Sequence, residues 1–447
     1  MTFDGVLILS HCGFSFAEDL IAAIRARDLQ PFVLSSKPLA EHSENRLQML
    51  RESAEAVLSS DSHVLDEDDV AHALASLRAS GYTVKACISV WEGYRVLMAH
   101  ANALLGVSDL AAQRADSLRN KLFVRNELRR AGLSGIDARL VTPDVLDELK
   151  RDGVAYFIKP VQGIASYGAF RLSQDTTWSA LDAIARRAQE DTIYSSALGH
   201  HVKFLAENYV AGTEFSFEVL VAERQAFVVG IHEKCELTET RDAVLENSCT
   251  SPPASLAASE VAAGIAWLRA VFNHLALDWG CYHVEARFDG KCWELIEINP
   301  RVGGSLISHS VKALNGEAGV LELWLDLLLQ QTSEHAHAPL KDTLTRLAYS
   351  VDGTPPTARA TFFRVYFASP GLIDSIEIRP VARAPAIKQV LLKPGDVVVE
   401  ASREVFLGQL LWEMTLEERD AELSGLLEAS ASAIDVHYQT SSIALEA

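Results

Sequence analysis

Apolar positions over the first hundred residues follow two alternating rhythms. Short runs such as GVLILS, PFVLSS and VKACISV end in polar loops, and between them FAEDLIAAIRARDL and WEGYRVLMAHANALLG repeat their apolar residues at helical spacing. This βαβ alternation predicts a parallel sheet with helices on both faces over 1–115. The loop after the first strand holds His11, Cys12 and Gly13, and loops at the C-terminal ends of such strands line ligand crevices.

From about residue 116 the pattern changes. DSLRNKLFVRNELRRAGL reads as one charged amphipathic helix, AYFIKP as a strand stopped by Pro160, and VQGIASYGAF as a Gly-containing loop running into a strand. VKFLAENYVAGTEFSFEVLV places two strands around a turn at Gly212. QAFVVGIHEK adds another strand, followed by a polar stretch at about 235–256 that reads as a mobile loop. A helix through EVAAGIAWLRAVFNHLAL leads to the strand pair CYHVEARF and CWELIEIN. A further helical stretch, GVLELWLDLLLQ, precedes a tail that is mainly β. The chain therefore divides into a βαβ unit (1–115), an α+β unit with antiparallel sheets (116–335, in halves 116–205 and 206–335) and a β-rich C-terminal unit (336–447).

The strand pair around Asp289, Gly290 and Lys291 carries the most chemistry. A two-residue turn would pair Phe288 with Lys291 and set Glu285 and Glu297 on opposite faces. A three-residue loop would pair Phe288 with Cys292 and put both on one face. The apolar pattern favours the second register, which gathers Val284, Ala286, Phe288, Ile296 and Ile298 on the core side and places Cys292 there too. Glu297 is then expected diagonally across from Glu285, roughly 7–8 Å away. Two carboxylates and the Asn299 carbonyl suit hard divalent cations such as Mg²⁺ better than zinc. Arg301 lies just past the strand, suited to an oxyanion or a phosphate. Upstream, Lys159 precedes a turn containing Gly163, Ser166 and Gly168. Such a turn can wrap phosphates with backbone N–H groups, although it is neither a Walker A nor a Rossmann loop. The backbone from Glu207 to Val210 could meet an adenine edge, and Glu214 ribose hydroxyls.

Composition narrows the function classes. The 447 residues are 49% hydrophobic, enough for several cores. A formal net charge of −20 argues against general binding to nucleic acid or anionic membranes. Any anionic ligand must meet local lysines, arginines and metal ions instead. No apolar run is long enough for a membrane span and the start lacks a signal-peptide pattern, so the expected location is cytoplasmic. The 6 cysteines have no C-x-x-C spacing and read as reduced thiols.

Four segments, in order, resemble the motifs of the ATP-grasp superfamily. SLRNKLFVRNELRRAGL is similar to its first lysine helix, and AYFIKPVQGIASYGAFRL to its second lysine strand with the flexible glycine loop. LAENYVAGTEFSFEVL resembles the hinge that holds adenine and ribose, and HVEARFDGKCWELIEINPRVGG the metal-binding strand pair. The match spans about 116–330. YHVEARF…WELIEINPRVGGSLI and the β-rich tail look most like L-amino-acid ligases of the bacilysin-synthase type. The resemblance implies that Lys121 and Lys159 contact nucleotide phosphates with Ser166 folding over them, and that Lys234 assists. It implies that Glu207 and the Val210 backbone bind adenine and Glu214 the ribose. Glu285, Glu297 and Asn299 would hold two Mg²⁺ ions, with Mn²⁺ as an alternative, and Arg301 would face an acyl phosphate. Asn208 stands where many members carry a lysine.

The implied activity is ATP-dependent carboxylate–amine ligation through an acyl phosphate, with ADP and phosphate released. Its partners would be a small carboxylic acid and an amine or amino acid, with a homodimer expected by likeness alone. Dipeptide or antibiotic biosynthesis is the role such chemistry suggests, with lids at 162–168 and 235–256. Two rivals remain: an ATP-grasp carboxylase or purine-pathway ligase, and a nucleotide-binding module without catalysis.

Overall fold

The computed structural model describes residues 3–12, 16–39, 43–199, 201–239, 244–330, 340–399 and 405–439. The fold is mixed α/β, with one parallel sheet at the N-terminus and antiparallel sheets elsewhere. Strands β1 (Phe3–Ser10), β2 (Gln30–Ser35), β3 (Ala56–Ser59) and β4 (Tyr82–Ile88) form the parallel sheet in the order β3-β2-β1-β4. Helices α1 (Ala17–Arg25), α2 (Ser43–Ser53), α3 (Glu67–Ala79) and α4 (Arg95–Leu105) connect and follow these strands. β3 was not foreseen, because AVLS is too short to show a period.

The expected single helix after residue 116 is two: α5 (Ala112–Arg119) and α6 (Lys121–Arg130). Asn120 breaks them. Its side chain accepts from the Phe123 N–H and caps α6, while the Lys121 N–H turns to the Val161 carbonyl. Beyond lies a small antiparallel sheet, order β5-β8-β6-β7, built from β5 (Ala138–Leu140), β6 (Tyr156–Pro160), β7 (Phe170–Arg171) and β8 (Phe204–Asn208). Helices α7 (Pro143–Arg151), α8 (Trp178–Glu190) and the short α9 (Ser195–Leu198) accompany it.

Strands β9 (Thr213–Ala222), β10 (Gln225–Glu239), β11 (Val244–Ser251), β12 (Gly280–Phe288) and β13 (Trp293–Asn299) begin a large antiparallel sheet. The stretch expected as a loop at 235–256 is instead mostly β10 pairing with β11, and only the tip, 240–243, lies outside the described residues. Helices α10 (Ala258–His274) and α12 (Val320–Leu329) follow the sequence patterns, and α11 (Ile307–Asn315) and α13 (Leu340–Leu347) are additions to them. The tail supplies β14 (Arg359–Ala368), β15 (Gly371–Ile378), β16 (Ile387–Val390), β17 (Val397–Val398), β18 (Val405–Thr415), α14 (Leu416–Ser430) and β19 (Ile434–Tyr438). The large sheet runs β13-β12-β9-β10-β11-β14-β18-β16, so tail strands extend it directly, and β17-β15-β19 make a third antiparallel sheet. Among the described residues no helix is long and apolar enough to cross a membrane.

One face of the large sheet is core. Phe215, Phe217, Val219, Val284, Ala286, Leu295 and Ile298 pack under Val261, Ile265, Leu268 and Phe272 of α10. Alternation then forces Glu214, Ser216 and Glu218 of β9 to the other face. Trp293, the first residue of β13, is wedged among Phe215, Phe217 and Phe288. It also presses on Gly264 of α10, where a Cβ would lie 2.7 Å from the indole. Helix α12 is buried and apolar except for Glu322 and Asp326, one turn apart on one side. With Trp324 fully enclosed, it joins one continuous core that includes β1, β2 and β4.

These contacts predict opposite outcomes at two helical glycines. Gly264→Leu should lower stability by about 1–3 kcal/mol through overpacking. Gly425→Ala, on exposed α14 with nothing near its added methyl, should raise it by about 1 kcal/mol. Urea unfolding midpoints at constant m-value check both.

Candidate active site

The hairpin β12–β13 reaches the expected face by an unexpected route. Its turn leaves four residues between Phe288 and Trp293, which pair directly, so Phe288 does not pair with Cys292. Cys292 is exposed in that turn, not on the core face. A four-residue turn alone would have put the two glutamates on opposite faces. The register slips once more between Glu285 and Ala286, where Ile296 is an extra residue on β13. Past that bulge Glu285 sits directly opposite Glu297, closer than the expected diagonal, and His283 opposite Asn299. Ile296, expected in the core, lines the cleft instead, and its carbonyl accepts a 3.0 Å bond from Lys159 Nζ.

The same face continues onto β9, where Glu214 opposes Arg287, Ser216 opposes Glu285 and Glu218 opposes His283. Across from it stands the small sheet with β6, β8 and the 162–168 turn. Between them lies an open cleft. Lys121, Lys159, Ser166, Glu207, Val210, Glu214, Glu285 and Glu297 all line it. The turn keeps Ala165, Ser166 and Gly168 at positive φ, so its backbone curls around the cleft mouth. Gly212 is needed for a different reason: at φ 105° a Cβ would fall 2.2 Å from the Phe288 carbonyl.

Charges in the cleft are paired. Lys121 Nζ lies 3.2 Å from Glu297 Oε2, and Lys159 Nζ 2.6 Å from Glu207 Oε1. Burial weakens the Lys159 ammonium and lowers its pKa, with Glu207 opposing that shift. Glu207 is buried and also accepts from Arg125 Nε at 3.0 Å, so its side chain is committed to two cations. Burial raises its carboxyl, but Lys159 and Arg125 prevail and hold it below the usual range. The Val210 carbonyl accepts from Arg287 Nη1 at 2.7 Å. Tyr209 beside it takes bonds from Arg171 and Arg287 on its hydroxyl.

Lys234 and Asn299 stand behind the lining. Lys234 Nζ is enclosed by Glu214 at 2.7 Å, Glu285 at 2.9 Å and Glu246 at 3.1 Å. Burial works against that ammonium, and the three carboxylates overcome it and keep it charged. Asn299 Nδ2 donates to Glu297 Oε1 at 2.8 Å. Arg301 lies apart from the cleft lining. Its Nε donates 2.7 Å to Glu92 Oε2, a buried carboxylate just after β4.

Burial pushes both Glu285 and Glu297 up, but neighbouring ammonium groups bring both below the usual carboxylate range, Lys234 for Glu285 and Lys121 for Glu297. Two ionised carboxylates directly opposed on a sheet, with an amide beside them, form an all-oxygen donor set. That set fits Mg²⁺ and not a soft metal.

Several participants escaped the sequence reading. Arg287 and Glu218 share a face with Glu285 and Glu214 by period-two spacing, so a signal for them existed. Arg125 gave none, because a buried arginine in a charged helix looks like any solvated one. It ties α6 to Glu207, to Glu294 at 2.7 Å and to the Leu295 carbonyl at 2.6 Å. His11 is another. Its Nδ1 faces the Tyr94 hydroxyl at 2.9 Å and its Nε2 the Ile193 carbonyl at 2.9 Å, a pattern that requires the neutral Nε2–H tautomer.

Burial depresses His11 to about 4, and His232 likewise to about 4. These folded values lie below the free imidazole's 6.5, so the unfolded chain takes up protons first. Stability should therefore fall as pH drops from about 6.5 to about 4. A His11→Gln variant should show a shallower fall when urea midpoints are measured across that window.

Comparisons with known proteins bear on the fold. Residues 153–309 match the family model of the ATP-grasp domain. A search of curated proteins finds no match. The fold is similar to that of the L-amino acid ligase from Bacillus licheniformis, with 17% identity, 98% of this chain and 99% of that one covered, and a TM-score of 0.71. It is also similar to phosphoribosylglycinamide synthetase from Anaerococcus prevotii, with 13% identity, 98% and 100% covered, and TM-score 0.65. The biotin carboxylase domain of the Hydrogenobacter thermophilus 2-oxoglutarate carboxylase, described in complex with MgADP and bicarbonate, matches with 13% identity, 98% and 91% covered, and TM-score 0.67.

Proposed function

We propose that this protein, which carries an ATP-grasp domain at 153–309, is an ATP-dependent ligase that joins a small carboxylic acid to an amine or amino acid. The observation that carries this reading is the direct pairing of ionised Glu285 and Glu297 on one wall of a cleft that also holds Lys121 and Lys159. Anionic carboxylates beside ammonium groups suit a magnesium–nucleotide, whose phosphates need cations and whose metal needs oxygen donors.

In this reading Glu285, Glu297 and the Asn299 carbonyl would hold Mg²⁺, which would supply positive charge against the negative charge of the phosphates. Lys121 and Lys159 bind phosphate oxygens, and the 162–168 turn covers them and excludes water. Lys234 pairs with Glu214 and keeps Glu285 charged from behind rather than reaching the phosphates. Val210 and Tyr209 meet the base, and Glu214 the ribose. Glu207 acts on adenine through the strand that it anchors, since its carboxylate is held by Lys159 and Arg125. The substrate carboxylate attacks the γ-phosphate in line and ADP leaves; a neutral amine then attacks the acyl carbon, the C–O bond to phosphate breaks, and inorganic phosphate departs with the proton the amine gives up. Arg301, held by Glu92, donates to the oxyanion of that second step. The units 1–115, 116–335 and 336–447 serve as substrate-side unit, nucleotide clamp and support, in a cytoplasmic protein that pairs as a homodimer. Dipeptide or antibiotic biosynthesis is the role that fits this product class.

A screen of phosphate release over amino-acid pairs, with mass spectrometry of the products, tests the reading. Release with bicarbonate alone would replace it with a carboxylase, and ATP binding without release under any mixture would replace it with a binding module. Glu297→Ala should abolish turnover with little loss of folding. Arg301→Ala should lower kcat by about 10²–10³-fold while leaving ATP binding within a few-fold, because a contact made only in the transition state is lost. Steady-state kinetics with separate nucleotide-binding titrations check both.

A further inference from the structure

Behind the carboxylate pair lies a polar chain that none of the roles above uses. Glu218 is fully buried, and its Oε1 accepts from His283 Nδ1 at 2.8 Å and from Ser216 Oγ at 3.0 Å. His283 Nε2 then reaches Glu285 Oε1 at 3.3 Å. On the far side His232 Nδ1 lies 3.7 Å from Glu218, and His232 Nε2 meets Ser310 Oγ at 2.9 Å. Two atoms of this chain, Glu218 Oε2 and His232 Nδ1, have no hydrogen-bond partner among the described residues.

Such a chain is a poor device for stability. Burying a carboxylate and an imidazole costs more than their mutual attraction returns unless every lone pair is matched, and here two are not. What the chain does achieve is direction. The bonds to Glu285 from His283 and from Lys234 both fall on Oε1. No protein hydrogen bond among the described residues falls on Oε2, so that oxygen is left for the cleft. The imidazole itself is fixed from above, because a Cβ on Gly303 would lie 2.6 Å from its Nδ1. Glu218 grips one nitrogen, Glu285 the other, and the backbone of the loop after β13 closes over the ring.

We propose that Glu218 and His283 form a positioning pair that locks Glu285 with Oε2 toward the cleft, and so sets the affinity for the magnesium–nucleotide. The inference rests on the reading of Glu285 as a magnesium ligand. Residues that orient a metal ligand typically change metal affinity or activity by about 10–100-fold when removed.

The test is a titration of Mg²⁺ against binding of a non-hydrolysable ATP analogue, followed by calorimetry, beside thermal melts without metal. Three proteins are compared with wild type: Glu218→Gln, Gly303→Ala, and the double variant Glu218→Met/His283→Leu. The double variant removes both buried charges together and keeps a measurable fold if either single variant melts early. The Mg²⁺ concentration for half-maximal analogue binding should rise about tenfold or more in each, with binding restored by excess Mg²⁺. In the double variant it should rise while the melting temperature stays level. A lowered melting temperature with unchanged Mg²⁺ dependence would overturn the proposal and make the pair structural. If wild type shows no Mg²⁺-dependent binding, or Glu285→Gln leaves it unaltered, the ligand reading falls and the proposal with it. Intact wild-type dependence with unaltered variants overturns the proposal alone.

Discussion

A single extra residue in one strand governs the chemistry of this molecule. Side chains alternate strictly along β13, so the four-residue turn after Phe288 would send Glu297 to the face opposite Glu285. The bulge at Ile296 inserts one residue and reverses that parity. Every polar neighbour then falls into rows: Glu297, Glu285 and Ser216 in one, and Asn299, His283 and Glu218 in the next. The opposite face stays apolar and is sealed by α10. A sheet with one oily and one ionic face needs its register held firmly, and the indole of Trp293, packed into aromatic rings at the strand's start, supplies that hold.

The other units are fastened to this sheet by buried arginines. Arg125 binds Glu207 of the small sheet together with Glu294 and the Leu295 carbonyl of β13, so the two walls of the cleft share one guanidinium. Arg95 of α4 pairs with Asp109 and donates 2.7 Å to the Pro300 carbonyl, fixing the exit of β13. Arg301, one residue on, reaches back to Glu92. A planar, permanently charged fork with several donors is suited to such junctions, since it can satisfy a carboxylate and a carbonyl at once. The small sheet also touches the N-terminal unit near the cleft. Ile193 accepts from His11, and the Trp91 indole donates to Ser196 at 2.8 Å.

A net charge of −20 does not prevent this chain from presenting cations to an anionic ligand. The cleft gathers Lys121, Lys159 and Arg287, with Lys234 behind them, and matches each to a carboxylate. In the dry interior the attraction within these pairs is little screened, whereas charges on the solvated surface are screened by salt.

Period by itself determined the parallel N-terminal sheet, the antiparallel strands that follow and the helix α12, whereas the gathering of Lys121, Lys159, Glu285 and Glu297 at one place was implied by the resemblance of four ordered motifs to a family. Hydrophobic alternation is a local property, and ordered motifs survive in the order of the chain. Asn120 could have been read as a break, because its cap is local too. What tertiary structure alone decided were the bulge at Ile296, the extension of the large sheet by tail strands, the burial of Arg125 and the pairing of Glu218 with His283. A bulge depends on what the neighbouring strand demands, and the worth of a buried charge depends on partners as far as 169 residues away, as Arg125 is from Glu294. Neither quantity is written in any window of the sequence, since each arises only when distant strands are laid side by side.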